Sequence, residues 1–180
     1  LILENKIEES VEYLVKFAKL TRLALNNSTQ KFVSLADELE LIEKYVELEQ
    51  LRFSKSFEFS IENEVDLKVK IPPNVMQPFV ENAILHGLIP KKEGGKLRIL
   101  LTVESANIIR CAIDDNGVCR SFSAGSIHSG KSMGISMIEE RLNLLSEKKK
   151  NNVIIIDKKT LDSKPKGTRV VLLIPVERKE

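Results

Sequence analysis

Between Gln77 and Gly87 the sequence reads QPFVENAILHG. Phe79, Val80, Ala83 and Ile84 follow the spacing of one buried helix face. Glu81 and Asn82, a carboxylate and a carboxamide, stand in the middle of that pattern. Polar groups among buried apolar ones cost free energy unless something pairs with them. A ligand is the simplest partner, and a fold built around this segment must then bring other ligand-binding groups to it. The plain alternative is a helix edge that faces water.

The 180 residues can bury one good core or two small ones. Net charge is +2, with acids and bases mixed along the chain, so there is no electrostatic case for nucleic acid or an anionic membrane. Lys148-Lys149-Lys150 reads as a solvated helix end. Cys111 and Cys119 fit neither a disulfide framework nor a zinc spacing, and suit a reducing compartment. No apolar run approaches the roughly 20 residues that span a bilayer. The first residue is Leu1, already inside a helical pattern, which suggests a fragment of a longer protein whose membrane segments, if any, lie in the missing part.

Leu3, Ile7, Val11, Leu14, Phe17, Ala18 and Leu25 recur every three to four residues, which predicts an amphipathic helix over 4–26. Ser34 and the acidic pair Asp37-Glu38 mark the start of a second helix over 34–53, where negative charge suits the helix dipole. Together they form half of a bundle that a second copy could close. From Phe57 the pattern alternates, and short strands are expected at Phe57–Ile61 and Val69–Ile71. Pro72-Pro73 ends the second of these, and a helix with its regular part starting near Pro78 and ending at Gly87 follows. Leu97–Val103 and Ile108–Ile113 read as paired strands turned at Ala106-Asn107. Ile135, Ile138, Leu142 and Leu145 mark a fourth helix, and Val153–Ile156 and Val170–Ile174 late strands. The division between a helical part, 1–53, and an α/β part, 54–180, falls where the periodicity changes.

Three separated elements could meet at one pocket. Besides Glu81-Asn82, Asp114-Asp115-Asn116-Gly117 closes a strand, and Ser129-Gly130-Lys131-Ser132-Met133-Gly134 runs into a helix N-terminus. The last is a plausible anion site: glycines such as Gly130 and Gly134 allow close backbone approach, free N–H groups face the ligand, and Lys131 adds a point charge. Asn82 offers a neutral oxygen to a hard cation, and magnesium takes few protein ligands. Asp115 could accept from an exocyclic amine such as that of adenine, with Gly117 letting a flat base lie close. Each has a bland reading. Asp-Asn-Gly between apolar strands is commonly a hairpin turn, and His86 suits a helix end near the negative pole of the dipole.

In order, QPFVENAILHG, DDNG, SMGISMIEERL and GTRVVLLIP resemble the nucleotide boxes of the Bergerat-type ATP-binding fold, shared by sensor histidine kinases, gyrase and MutL. More narrowly, ELELIEKYVELEQLRF followed by IPPNVMQPFVENA resembles the LytS-like sensor histidine kinases. The resemblance implies an α+β protein: a Bergerat-type α/β sandwich, its sheet mixed and mainly antiparallel with helices on one face, preceded by a helical segment. It implies ATP and Mg2+ as cofactors, with Asn82 as metal ligand and Glu81 as the acid that orients or deprotonates an attacking histidine. Around the nucleotide it implies His86, Asp115, Gly117, Gly130, Lys131, Gly134, Ile135 and Thr168, the last from the Gly167-Thr168 pair.

The implied activity is γ-phosphoryl transfer to a histidine outside this chain and then to a response regulator receiver domain. The implied setting is a homodimer formed through the helical region, as the cytoplasmic part of an inner-membrane protein. The chain departs from the pattern at Pro78, Leu85, Cys119, Ser132 and Met137, and a motif like PHFLFN, which carries the acceptor histidine in relatives, is not in the sequence. His86 and His128 do not match it. Two rivals follow: a nucleotide-independent dimerisation module of the same fold, and another ATPase of that fold. The segment 118–133 is expected to act as a lid.

Overall fold

The computed structural model describes residues 7–53, 57–91, 94–118, 133–146, 152–159 and 165–177. Residues 119–132 of the expected lid, with Cys119, His128, Gly130 and Lys131, and the run Lys148–Lys150 lie outside them.

Two helices lead, α1 over Ile7–Ser28 and α2 over Leu35–Phe53. Ser34 caps α2: its hydroxyl accepts the Asp37 N–H at 3.1 Å and donates to the Asp37 carboxylate. Such a cap stabilises a helix by about 1 kcal/mol. Between the helices Val33–Ser34 (β1) pairs antiparallel with Lys70–Ile71 (β3).

The main sheet has the order β2-β4-β5-β7-β6, with β2 at Glu58–Asn63, β4 at Lys96–Ser105, β5 at Ile108–Asp115, β6 at Val153–Lys159 and β7 at Pro165–Pro175. Strand β2 runs parallel to β4, and the other neighbours are antiparallel. The sheet is therefore mixed and mainly antiparallel. Period-two alternation assigns its faces. Leu97, Ile99, Leu101, Ile109, Cys111, Ile113, Val170 and Leu172 are buried on one face, while Arg98, Arg110 and Arg169 are exposed on the other. On that outer face Asp114 pairs with both Lys158 and Arg169.

The inner face packs against α2, α3 (Gln77–Asn82) and α4 (Met133–Leu145). Leu35, Leu41 and Ile42 of α2 share one apolar core with Ile99 and Ile113 of the sheet and Phe79 of α3. The first helix differs. Ile7, Val11, Leu14 and Leu25 expose 67%, 54%, 57% and 62% of their surface, while Leu20 and Asn27 are buried on its opposite side. The apolar positions read from the sequence thus form a stripe pointing away from the core. Residues 7, 11, 14, 18 and 25 are spaced by fours and threes, or their sum, as in a coiled-coil seam. Among the described residues no helix is long and apolar enough to cross a membrane.

Candidate functional site

The opening segment does not form one regular helix. After α3 the chain widens into a π-helical turn over Ala83–Leu88, with the N–H of Ile89 donating to the Ile84 carbonyl at 2.9 Å. Such turns are uncommon and recur at functional sites. Here the turn buries Gly87 and Leu88 while leaving Leu85 and His86 exposed. Glu81 and Asn82 are half-buried, and each is held by its own helix. Gln77 Nε2 donates to Glu81 Oε1 at 2.9 Å, and Asn82 Nδ2 donates to the Pro78 carbonyl at 2.7 Å. The second bond leaves Asn82 Oδ1 as its free acceptor, the atom a magnesium ion would require.

The Asp-Asn-Gly segment is not a hairpin turn. Strand β5 pairs with β4 and β7, its neighbours on either side, and the chain leaves the sheet at Asp115. Asn116 is tied back to β4: its Oδ1 accepts the Lys96 N–H at 2.7 Å, and its own N–H donates to the Lys96 carbonyl at 3.2 Å. Turn chemistry here ends a strand beside the π turn.

Asp115 is buried where three glycines from three elements converge. A Cβ on Gly117 would stand 2.3 Å from the carbonyl carbon of Gly87. One on Gly167 would stand 2.1 Å from the Asp115 carbonyl oxygen, and Gly167 has φ +104°, a region L side chains rarely adopt. At Gly87 a Cβ would stand 3.1 Å from Asp115 Oδ1. The N–H of Val118 donates to the Gly87 carbonyl at 2.9 Å, which fixes strand end and turn together. Asp115 Oδ1 accepts the Gly117 N–H at 2.8 Å, and the carboxylate also accepts from the backbone of Thr168, itself buried. Burial raises the Asp115 pKa above its ordinary value, against the lowering effect of those N–H groups and of Lys158.

The third element is only partly described. Gly134 in the first turn of α4 is exposed, and a Cβ there would meet nothing within 4 Å. Ile135 is buried in the main core. Met137 is exposed. Arg141 turns back from α4, its Nη1 donating to the Pro73 carbonyl at 2.9 Å.

The structure therefore brings Asp115, Gly117, Gly167 and Thr168 together with Gly87, a residue read from the sequence only as a helix end. Its signal was its place at the end of the same segment as Asn82, but only the fold shows it packed on Gly117. Glu38 was also read differently. Its carboxylate serves not the dipole of α2 but the N-terminus of α3, accepting from Asn74 N at 2.8 Å and Met76 N at 3.2 Å. Among the described residues no group of three or more His, Cys, Asp or Glu could hold a metal ion.

The α/β fold, with its mainly antiparallel sheet, is also that of histidine kinase catalytic domains of known structure. The histidine kinase domain of the Erythrobacter litoralis EL346 blue-light activated kinase superposes with a TM-score of 0.58 at 12% identity, covering 91% of this chain and 75% of that one. The catalytic domain of histidine kinase ThkA superposes with a TM-score of 0.53 at 14% identity, covering 80% and 94%.

In sequence, the family model described as "Histidine kinase" matches residues 1–57. Protein YwpD of Bacillus subtilis is 30% identical over 141 residues, 76% of this chain and 51% of YwpD. The sensor histidine kinase/phosphatase LytS of Staphylococcus aureus is 32% identical over 111 residues, 61% of this chain and 19% of LytS. The chain spans about half of the first relative and about a fifth of the second. The likeness to LytS-like sensor histidine kinases thus holds in sequence, and the fold is that of the EL346 and ThkA histidine kinase catalytic domains.

Proposed function

We propose that this chain is the nucleotide-binding catalytic part of a two-component sensor histidine kinase. The observation that carries the reading is Asp115, a buried carboxylate walled by Gly87, Gly117 and Gly167, next to the helix that presents Asn82. A side chain at Gly87 would press on that carboxylate, while Gly117 and Gly167 let the backbone pack closely around it, which suits a flat ligand lying close to backbone. Asp115 would accept from the exocyclic amine of adenine, and Thr168 lies beside it. Asn82 Oδ1 would contact magnesium. Gly130, Lys131, Gly134 and Ile135 would serve the phosphates, and His86 would flank the nucleotide from the π turn.

Bound Mg-ATP supplies the γ-phosphoryl group and the metal charge that neutralises it. The chain's own residues position and orient. Glu81, held by Gln77, would orient an incoming histidine or take its proton. That histidine would lie outside these residues, and a response regulator receiver domain would be the final acceptor. The exposed stripe of α1 would close a homodimer on a second copy. Residues 1–53 would serve as the dimerisation part and 54–180 as the catalytic part, on the cytoplasmic side of a membrane protein.

Calorimetry with Mg-ADP tests the site. Wild type should bind, and Asn82→Ala and Asp115→Asn should each bind more weakly. Equal binding by all three would remove the assignment. The same α1 stripe favours a second reading, a nucleotide-independent dimerisation module. A dimer that gives no heat with millimolar Mg-ADP would select it.

A further inference from the structure

Residues 72–76, between β3 and α3, are gripped from two sides by charged groups that the nucleotide site does not use. From α2, the fully buried Glu38 accepts the backbone N–H groups of Asn74 at 2.8 Å and Met76 at 3.2 Å. From α4, Arg141 Nη1 donates to the Pro73 carbonyl at 2.9 Å. Met76 is the N-cap residue of α3 and offers no side-chain cap of its own. Asn74 takes the left-handed backbone, φ 56°, and its buried Oδ1 has no hydrogen-bond partner among the described residues.

This loop therefore has strict demands. Free N–H groups at a helix N-terminus need acceptors when they are shielded from water. A buried carboxylate needs donors, or it stands as an unpaired charge. Each side satisfies the other, so α2 cannot shift along α3 by a small amount without breaking both. Packed interiors respond to such demands by switching between discrete arrangements rather than by gradual deformation.

The loop also stands where three elements meet. Helix α3 carries Glu81 and Asn82, α4 begins beside the expected phosphate end, and α2 continues the helical segment. We infer that Glu38 and Arg141 are positioning residues that lock both walls of the nucleotide pocket to α2, so that binding of a magnesium nucleotide and docking of α2 are coupled. The coupling is reciprocal: a bound nucleotide tightens the seat of α2 to the extent that a well-seated α2 tightens nucleotide binding. This rests on the nucleotide reading above, and its test has an arm that does not.

The 180-residue chain and its Glu38→Gln, Arg141→Gln and doubly substituted variants are compared by hydrogen exchange without nucleotide, and by calorimetry with Mg-ADP. Each single change should speed exchange in both α3 and α4 by about tenfold while β4 and β5 keep wild-type rates, and should weaken Mg-ADP binding about tenfold. The double variant should lose no more than the worse single one, because the two groups act through one loop. Uniform acceleration that includes β4 and β5 would mark a merely structural role and overturn the inference. So would effects confined to the substituted helix, or wild-type Mg-ADP affinity in the variants. Spread of exchange between α3 and α4 in a chain that binds no Mg-ADP would keep the mechanical link and refute the nucleotide reading instead. Arg141 is only half-buried, so its variant retains the fold if that of Glu38 does not.

Discussion

At the proposed base end of the site, Gly87, Gly117 and Gly167 are pressed around Asp115 so closely that a methyl group on Gly117 or Gly167 would collide with backbone. At the proposed phosphate end, Gly134 stands in open space. The same residue type thus answers to two different constraints. The glycines around Asp115 are required by the packing of the protein itself. The packing does not require Gly134, so its significance lies in what the backbone of α4 offers to a ligand or in nothing at all.

Alanine substitution breaks or sharpens this contrast most strongly. Gly117→Ala and Gly167→Ala should each destabilise the chain by about 3 kcal/mol, through overpacking and, at Gly167, backbone strain. Gly134→Ala should leave stability unchanged or raise it by about 0.5 kcal/mol, since alanine suits a helix better than glycine. Urea denaturation reads all three. A Gly134→Ala variant as damaged as Gly117→Ala would erase the distinction between the two ends.

Asp115 separates ligand binding from stability at the base end. Burial raises its pKa, so the ionised form is disfavoured in the fold. The stability it contributes is present below the ordinary carboxylate pKa and lost as pH rises through the raised value. Asparagine keeps an acceptor for the Gly117 N–H without the charge. Asp115→Asn should therefore match or exceed the wild-type melting temperature at neutral pH, yet bind Mg-ADP at least about tenfold more weakly. A variant that melts lower and binds normally would reverse the assignment.

A smaller effect is expected at Glu49 of α2. Its Oε2 is buried without a hydrogen-bond partner among the described residues, and Arg52 stands 3.7 Å from Oε1. Burial raises its pKa, Arg52 opposes that, and the charge of Glu81 adds to it. By the same sign, its ionised form weighs against the fold at neutral pH. Glu49→Gln should raise the melting temperature by about 2 °C at pH 8, with the gain vanishing as the pH falls below the ordinary carboxylate range. A gain that persists in acid would point to packing rather than charge.

Much of this was legible in the sequence, and the reasons differ by element. Strands β4 and β5 and helix α2 announce themselves because their apolar positions keep one period from end to end. The Asn82 and Asp115 boxes are legible because polar groups stand where apolar ones are expected. The π turn was not legible: Ala83–Leu88 carries an ordinary helical pattern, and the packing of Gly87 on Gly117 is a contact between distant segments. Nor could local pattern find the partner of Glu38, since Met76 lies 38 residues away and offers only its backbone. The DNG segment misleads in the opposite direction, because the turn chemistry is real but the strand it ends already has neighbours on both sides.

The central claim is that the glycine-walled Asp115 reads the exocyclic amine of adenine. Parallel titration of the wild-type chain with Mg-ADP and Mg-GDP tests it most directly. Guanine presents a carbonyl oxygen where adenine presents an amine, and that oxygen would face the carboxylate unpaired. Mg-ADP should bind at least about tenfold more tightly than Mg-GDP. Equal affinity for the two nucleotides would contradict the account.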